Sequence, residues 1–226
     1  ASKPTIPGPE IRVKEGDRVK IVFHNQQKEP HTIHFHGVDN SFEGDGTPGI
    51  SQKEVEEGKT FTYEFKAPKA GTYFYHCHVE PDRHPEMGLY GAFIVEPKDK
   101  KINYDGEFTL MLAERDPKLS LAEGTEAGKY VGTAAEHEHL DNGEYDTIAR
   151  QPKYFTINGK IDPDIPPLKV KKGGTYLIRL INAGSDVHSI HIHGHHFKVV
   201  ATDGREISNP VTKDTITIGP GERYDL

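Results

Sequence analysis

The chain of 226 residues has one cysteine, two methionines and no tryptophan. A single Cys77 excludes an intrachain disulfide framework; it leaves a reactive thiol, a metal ligand or a buried bystander. No run of about 20 apolar residues occurs, so a membrane span is not expected. An apolar leader segment is also missing, and any signal peptide is expected to have been removed already. Acidic residues outnumber basic ones, 35 to 28, for a net charge of -7 without a basic block. That balance argues against nucleic acid or an anionic membrane surface as partner. At roughly 100–200 residues per domain, the length allows one large unit or two small ones. What the chain has in quantity is turn formers, 23 Gly and 16 Pro, and 14 His.

Long helical periodicity is also scarce. Ile11–Lys14, Arg18–His24, His31–His36, Thr60–Lys66, Thr72–His76 and Ala92–Glu96 each read as a strand, with Gly, Pro, Asn and Asp between them. Strands resume at Lys153–Ile157, Leu168–Val170, Thr175–Asn182, His188–His193, Phe197–Ala201, Thr215–Ile218 and Glu222–Leu226. Many short strands with frequent turns predict an all-β antiparallel sandwich or barrel. Asp116–Gly143 is rich in Glu, Gly, Ala and Asp, so residues 115–150 read as a linker between a first unit, 1–114, and a second, 151–226.

An internal repeat relates the two units. Ile11-Arg12-Val13-Lys14-Glu15-Gly16-Asp17 matches Leu168-Lys169-Val170-Lys171-Lys172-Gly173-Gly174, Asn25 matches Asn182, and His31-Thr32-Ile33-His34-Phe35-His36-Gly37 matches His188-Ser189-Ile190-His191-Ile192-His193-Gly194. Glu57-Gly58-Lys59-Thr60-Phe61 also resembles Pro220-Gly221-Glu222-Arg223-Tyr224. The stretch that follows in the first copy, Gly71–His78, has its counterpart past Leu226, so the second copy reads as incomplete at its C-terminus. The abrupt start at Pro7-Gly8-Pro9-Glu10 is consistent with trimming there as well.

On a strand, residues i and i+2 share a face. His34 with His36, His76 with His78, and His191 with His193 therefore project in pairs. Neutral imidazole suits copper, zinc, iron and nickel, and three such pairs point to metal chemistry. Cys77, between His76 and His78, faces the opposite side. A thiolate is a soft ligand, and one Cys with two His and a weak axial neighbour makes a blue-copper site. Cys77, His31 and His84 supply that set. Leu89, after Gly88, takes the non-bonding axial position, with Met87 as its rival. The His-Cys-His tripeptide would then join an electron-accepting site to a multi-metal site. His137 and His139, in the acidic linker, read as solvated; His195 and His196 read as supporting or surface groups, and His24 as structural.

These motifs, His31-x-x-His34-x-His36-Gly37, His76-Cys77-His78-Val79-Glu80, His84-x-x-x-Gly88-Leu89 and His188-x-x-His191-x-His193-Gly194, resemble those of the multicopper oxidases, including laccases and their two-domain relatives. The step from Cys77 to His84 is longer than is usual there. The resemblance implies two cupredoxin-like Greek-key β-sandwiches, the second incomplete. It implies a type 1 copper on His31, Cys77 and His84 with Leu89 axial, a type 2 copper on His34 and His191, and type 3 coppers on His36, His76, His78 and His193. The family uses more cluster imidazoles than this chain offers, and the rest are expected beyond Leu226. Asp45 and Glu80 resemble the family's acids near the cluster, where O2 reduction consumes protons. His188 repeats His31, so a second blue site stays open. The implied activity couples one-electron oxidation of a small reductant, a phenol or a metal ion, to reduction of O2 to water. A homotrimer with its cluster between subunits, and an extracellular or periplasmic location, are further implications. Two alternatives remain: a copper-containing nitrite reductase, which has no use for His78, and a copper-binding electron-transfer module without O2 chemistry.

Overall fold

The structure, a computed structural model, describes residues 4–99, 103–117, 140–141, 144–145 and 150–226. Most of the expected linker, with His137 and His139, lies outside the described residues. The first half carries β1 (Ile11–Lys14), β2 (Arg18–His24), β3 (His34–His36), β4 (Thr60–Lys66), β5 (Gly71–His76) and β6 (Tyr90–Glu96), with a single 3-10 turn at Phe42–Gly44. There follow β7 (Gly106–Arg115), the two-residue strands β8 (Leu140–Asp141) and β9 (Glu144–Tyr145), β10 (Tyr154–Ile157), β11 (Tyr176–Asn182), β12 (His188–His191), β13 (Phe197–Thr202), β14 (Arg205–Lys213), β15 (Thr215–Ile218) and β16 (Arg223–Asp225). The architecture is all-β. No helix among the described residues is long and apolar enough to cross a membrane.

One sheet runs β1-β6-β5-β3 and faces the β2-β4 pair; the other runs β10-β7-β11-β16-β13-β14 and faces the β12-β15 pair. Period-two alternation explains how one sheet serves two cores. Tyr73 and Phe93 point into the first-half core with Val19, Phe35, Tyr63 and Phe65. Their neighbours Phe74, Ala92 and Ile94 point the other way, against Met111, Ala113 and Ile181. β6 is thus buried on both faces, which is why Tyr90–Val95 reads as a continuous apolar run. A third cluster, including Leu180, Phe197, Val199 and Ile218, fills the second half.

The repeat appears as duplicated hydrogen bonds. Asn25 N donates to Lys59 O and Gly58 N to Asn25 O; Asn182 N donates to Glu222 O and Gly221 N to Asn182 O. The Asn25 amide donates to Glu29 O and Val55 O, and the Asn182 amide to Asp186 O and Ile218 O. A buried amide on each copy therefore braces the loop that leads into the His-x-x-His-x-His stretch.

Several strands differ from expectation. Strand structure in 31–36 begins only at His34, because Ile33 N donates to the Tyr63 hydroxyl (2.8 Å) and His31 pairs only in an isolated bridge with Val55. Residues 168–170 form no strand and are exposed. β7, in a stretch counted with the first unit, pairs over Gly106–Leu112 with β11 in the second half's sheet. β14 is exposed nearly throughout, so it lacks the alternation that would have revealed it.

A polar network ties the halves together at this interface. The Arg179 guanidinium donates to Thr72 Oγ1 (2.8 Å), Asp225 Oδ2 (3.2 Å) and Glu107 Oε1 (2.8 Å), and Thr72 donates to Asp225. Arg12 bridges Glu107 and Glu10 beside it. Asp225 is buried, and desolvation pushes its carboxyl pKa upward. We expect Arg179→Met to leave that buried carboxylate without its ion-pair partner and to lower stability by about 3–5 kcal/mol. Urea unfolding reads this as a lower midpoint at unchanged slope. A change below about 1 kcal/mol would contradict it.

Candidate metal centres

Three buried donors meet in the first half. Cys77 Sγ lies 3.4 Å from His31 Nδ1 and 3.4 Å from His84 Nδ1, with the two rings 4.8 Å apart. The chain brings them together by three routes. His31 sits in the loop between β2 and β3. Cys77 follows the end of β5, where its N donates to Leu89 O (2.9 Å). His84 lies on a helical turn whose N donates to Glu80 O (2.9 Å). Leu89 N in turn donates to His84 O, so the Leu89 backbone links Cys77 to His84. Met87 N donates to Arg83 O (3.0 Å).

Outer contacts set the imidazole tautomers. The Gln27 amide oxygen can only accept, so His31 Nε2–H donates to it (2.8 Å) and leaves Nδ1 as a lone pair facing Cys77. His84 Nε2 lies near the Glu29 (3.4 Å) and Glu80 (3.9 Å) carboxylates, while its Nδ1 faces Cys77. Burial lowers the pKa of both rings, His84 to about 4, so both are neutral ligands. Burial also pushes the Cys77 thiol up to about 11; a metal must displace that proton to bind. The three ligand atoms lie within 4.8 Å of one another, close enough to share one ion. One soft sulfur with two imidazoles suits copper, so the donor set fits the metal. Gln27 and Glu29 escaped the sequence reading. The signal available was Asn25, repeated at Asn182, which braces the loop carrying both.

A second group of donors faces away from the first. Ligand atoms of His34, His36 and His76 lie within 4.8 Å of one another. His78 joins them, its ring 5.3 Å from His34 and 5.9 Å from His76. The pairing of β3 with β5 sets His34 opposite His76. His34 Nδ1–H donates to Asp45 O (2.7 Å) and His76 Nδ1–H to Cys77 O (2.8 Å), so both Nε2 atoms carry lone pairs. His36 Nδ1 lies 3.4 Å from His76 Nε2. Burial drives His36 down to about 3 and His76 to about 4, the former with help from the Arg223 charge. Gly46 allows the turn that delivers the Asp45 carbonyl: at φ +82, a Cβ there would lie 2.0 Å from Ile33 O.

The remaining expected residues fall in distinct places. The Asp45 carboxylate is 3.5 Å from His34 Nδ1 and accepts from the Thr47 hydroxyl. Glu80 has a left-handed backbone (φ 46) and turns its carboxylate to Arg83 (3.1 Å) and His84, on the Cys77 side and not toward His34. His191 and His193 pack on each other (4.9 Å) and are exposed; among the described residues neither joins the His34 group. His191 Nδ1–H donates to Asp214 O (2.8 Å), the counterpart of the His34–Asp45 bond. His188 bonds through Nε2 to the buried Glu114. His24 pairs with Thr60, and His195 and His196 are exposed.

Residues 3–100 and again 129–226 match the multicopper oxidase family. The chain belongs to that family. This multicopper oxidase chain is 38% identical to the blue copper oxidase from Nitrosomonas europaea, with a TM-score of 0.84 over 98% of this chain and 65% of that one. Its all-β fold is therefore cupredoxin-like. It is 32% identical to the multicopper oxidase MmcO from Mycobacterium tuberculosis, over 98% of this chain and 46% of that protein. It is also 32% identical to a copper-containing nitrite reductase from Neisseria meningitidis, over 96% of this chain and 53% of that protein. The chain spans about half the length of these curated relatives.

Proposed function

We propose that this protein is a laccase-like oxidase: it takes electrons singly from a small reductant, a phenol or a metal ion, and delivers them to O2, forming water. The carrying observation is the split at one tripeptide, with Cys77 sulfur among His31 and His84 while His76 and His78 lie with His34. Copper, when bound, supplies the one-electron redox chemistry at both centres.

The residues do the rest. His31, Cys77 and His84, all buried, would hold the type 1 ion, and Leu89, whose side chain has no donor atom, would offer it no further ligand, which would favour a high potential. Gln27 and Glu29 orient the two imidazoles from behind. Electrons leaving the Cys77 sulfur have a covalent path to both neighbouring imidazoles, and His76 closes a second path through its bond to Cys77 O. In this reading His34 is a type 2 ligand, and His36, His76 and His78 are type 3 ligands. Asp45 can hold a proton beside His34. Glu80 stands instead beside His84 and Arg83.

His191 and His193, exposed and apart from the His34 group, suit a cluster completed between copies, and we assign the active unit as a homotrimer. The two units, 1–114 and 151–226 joined by 115–150, each contribute to that cluster, with β7 added to the second unit's sheet. We assign the protein to an extracellular or periplasmic site. Likeness to nitrite reductase favours a second reading, in which a single His-bound ion reduces nitrite. His78→Ala separates the two: an oxygen electrode and a nitrite assay on this variant should show O2 consumption lost in the first reading and nitrite turnover largely kept in the second.

A further inference from the structure

The two halves use the same turn differently. In the first half, Gly58 at the repeat position has nothing near a built Cβ, and the equivalent of Arg223 is Thr60, which bonds His24 at the surface. In the second half the turn is pressed onto the first half's metal-holding ring. A Cβ on Gly221 would lie 3.0 Å from His36 Cε1 and 3.1 Å from its Nε2. Phe74 stacks on the face of the same ring, 4.5 Å between centroids at 23°. The ring is thus walled on a face and an edge, and its Nδ1 is left toward His76.

Arg223 holds this wall. It is buried, with 4% of its surface exposed. Nη1 donates to Gly221 O (2.8 Å), and Nε donates to Thr72 O (3.3 Å), two residues from Phe74 on β5. Its Nη2 fills the space of the missing Gly37 side chain, where a Cβ would come within 2.2 Å; Gly37 directly follows His36. Asp203 balances the charge through Oδ1 (3.1 Å). One guanidinium therefore fixes the turn against the edge of His36, the backbone just past it, and the strand that stacks on it.

We propose that Arg223 is a positioning residue for His36, acting through the Gly221 turn, so that the second half sets the orientation of a first-half metal ligand. This rests on the reading of His36 as a ligand. Copper itself is the probe.

The test compares wild type, Arg223→Gln and Arg223→Lys. In metal-free protein, long-range imidazole NMR should show the His36 nitrogen signals displaced or broadened in Arg223→Gln, while His31 and His84 signals stay in place. Copper competition against a chelator should show affinity at the His34–His36–His76 group lowered by about 10–100-fold, with the Cys77 centre unchanged. Lysine, which keeps the charge but reaches fewer acceptors, should lose less than glutamine. Unchanged His36 signals and affinity would overturn the proposal. So would equal loss at both centres, which would make Arg223 a folding residue alone. A separate control, His36→Ala, tests the underlying reading: if it binds copper as wild type does, His36 is no ligand and that reading fails on its own account.

Discussion

Cys77→Ser is expected to abolish the blue absorption of the copper-loaded protein and to reduce oxidation of reductants by at least about a thousandfold. The thiol is the only sulfur among the three donors of its group, 3.4 Å from each imidazole. A serine hydroxyl keeps the shape within a small difference but offers a hard, weakly acidic oxygen where copper requires a soft anion. The path from this centre toward His76 and His78 begins at that sulfur, so even residual copper would sit outside it. The substitution does not touch the His34, His36, His76 and His78 rings, and copper held there should persist. Absorption spectra and turnover with a phenol or Fe(II) check the first expectation. A blue protein with ordinary turnover would contradict it.

His78→Ala is expected to have the converse effect: a protein that stays blue and accepts electrons from a reductant, but that reduces O2 at least about a thousandfold more slowly. His78 and His76 flank Cys77, and the ring of His78 lies 5.3 Å from that of His34, within the second group. Its removal takes a donor from that group and leaves His31, Cys77 and His84 as they are. Anaerobic bleaching of the blue band by reductant, followed by the rate of its return on adding O2, separates the two centres. The blue colour should bleach normally and return slowly. Normal return on O2 would contradict the role given to His78, and nitrite turnover at the wild-type rate would favour the nitrite-reducing reading.

Much of this was legible in the amino-acid order because the residues concerned obey short periods. β2, β4 and β15 alternate cleanly, and their bounds are those that alternation predicts. The pairing of His34 with His36, and the opposed direction of Cys77 and its neighbours, follow from the same period of two, although β5 stops at His76. The repeat was visible because Asn25 and Asn182 each brace a loop and so recur in register. What escaped depends on contacts distant in sequence. Gln27 and Glu29 are ordinary surface residue types until the fold sets them behind two imidazoles. Arg223 looks like any strand arginine until the second half closes on Gly37. The direction of Glu80 follows from one left-handed residue, which no periodicity encodes. β7 joins the second half's sheet because β11 pairs with it in parallel, a contact 70 residues away in sequence (Tyr176 opposite Gly106).

In the proposed reading, one tripeptide serves two metal centres that lie back to back. Copper analysis of purified, fully loaded wild-type protein beside Cys77→Ser tests it most directly. About four coppers per chain of the assembled protein are expected in wild type and about three per chain, with no blue band, in the variant. A wild type holding a single copper, all of it lost in Cys77→Ser, would contradict it.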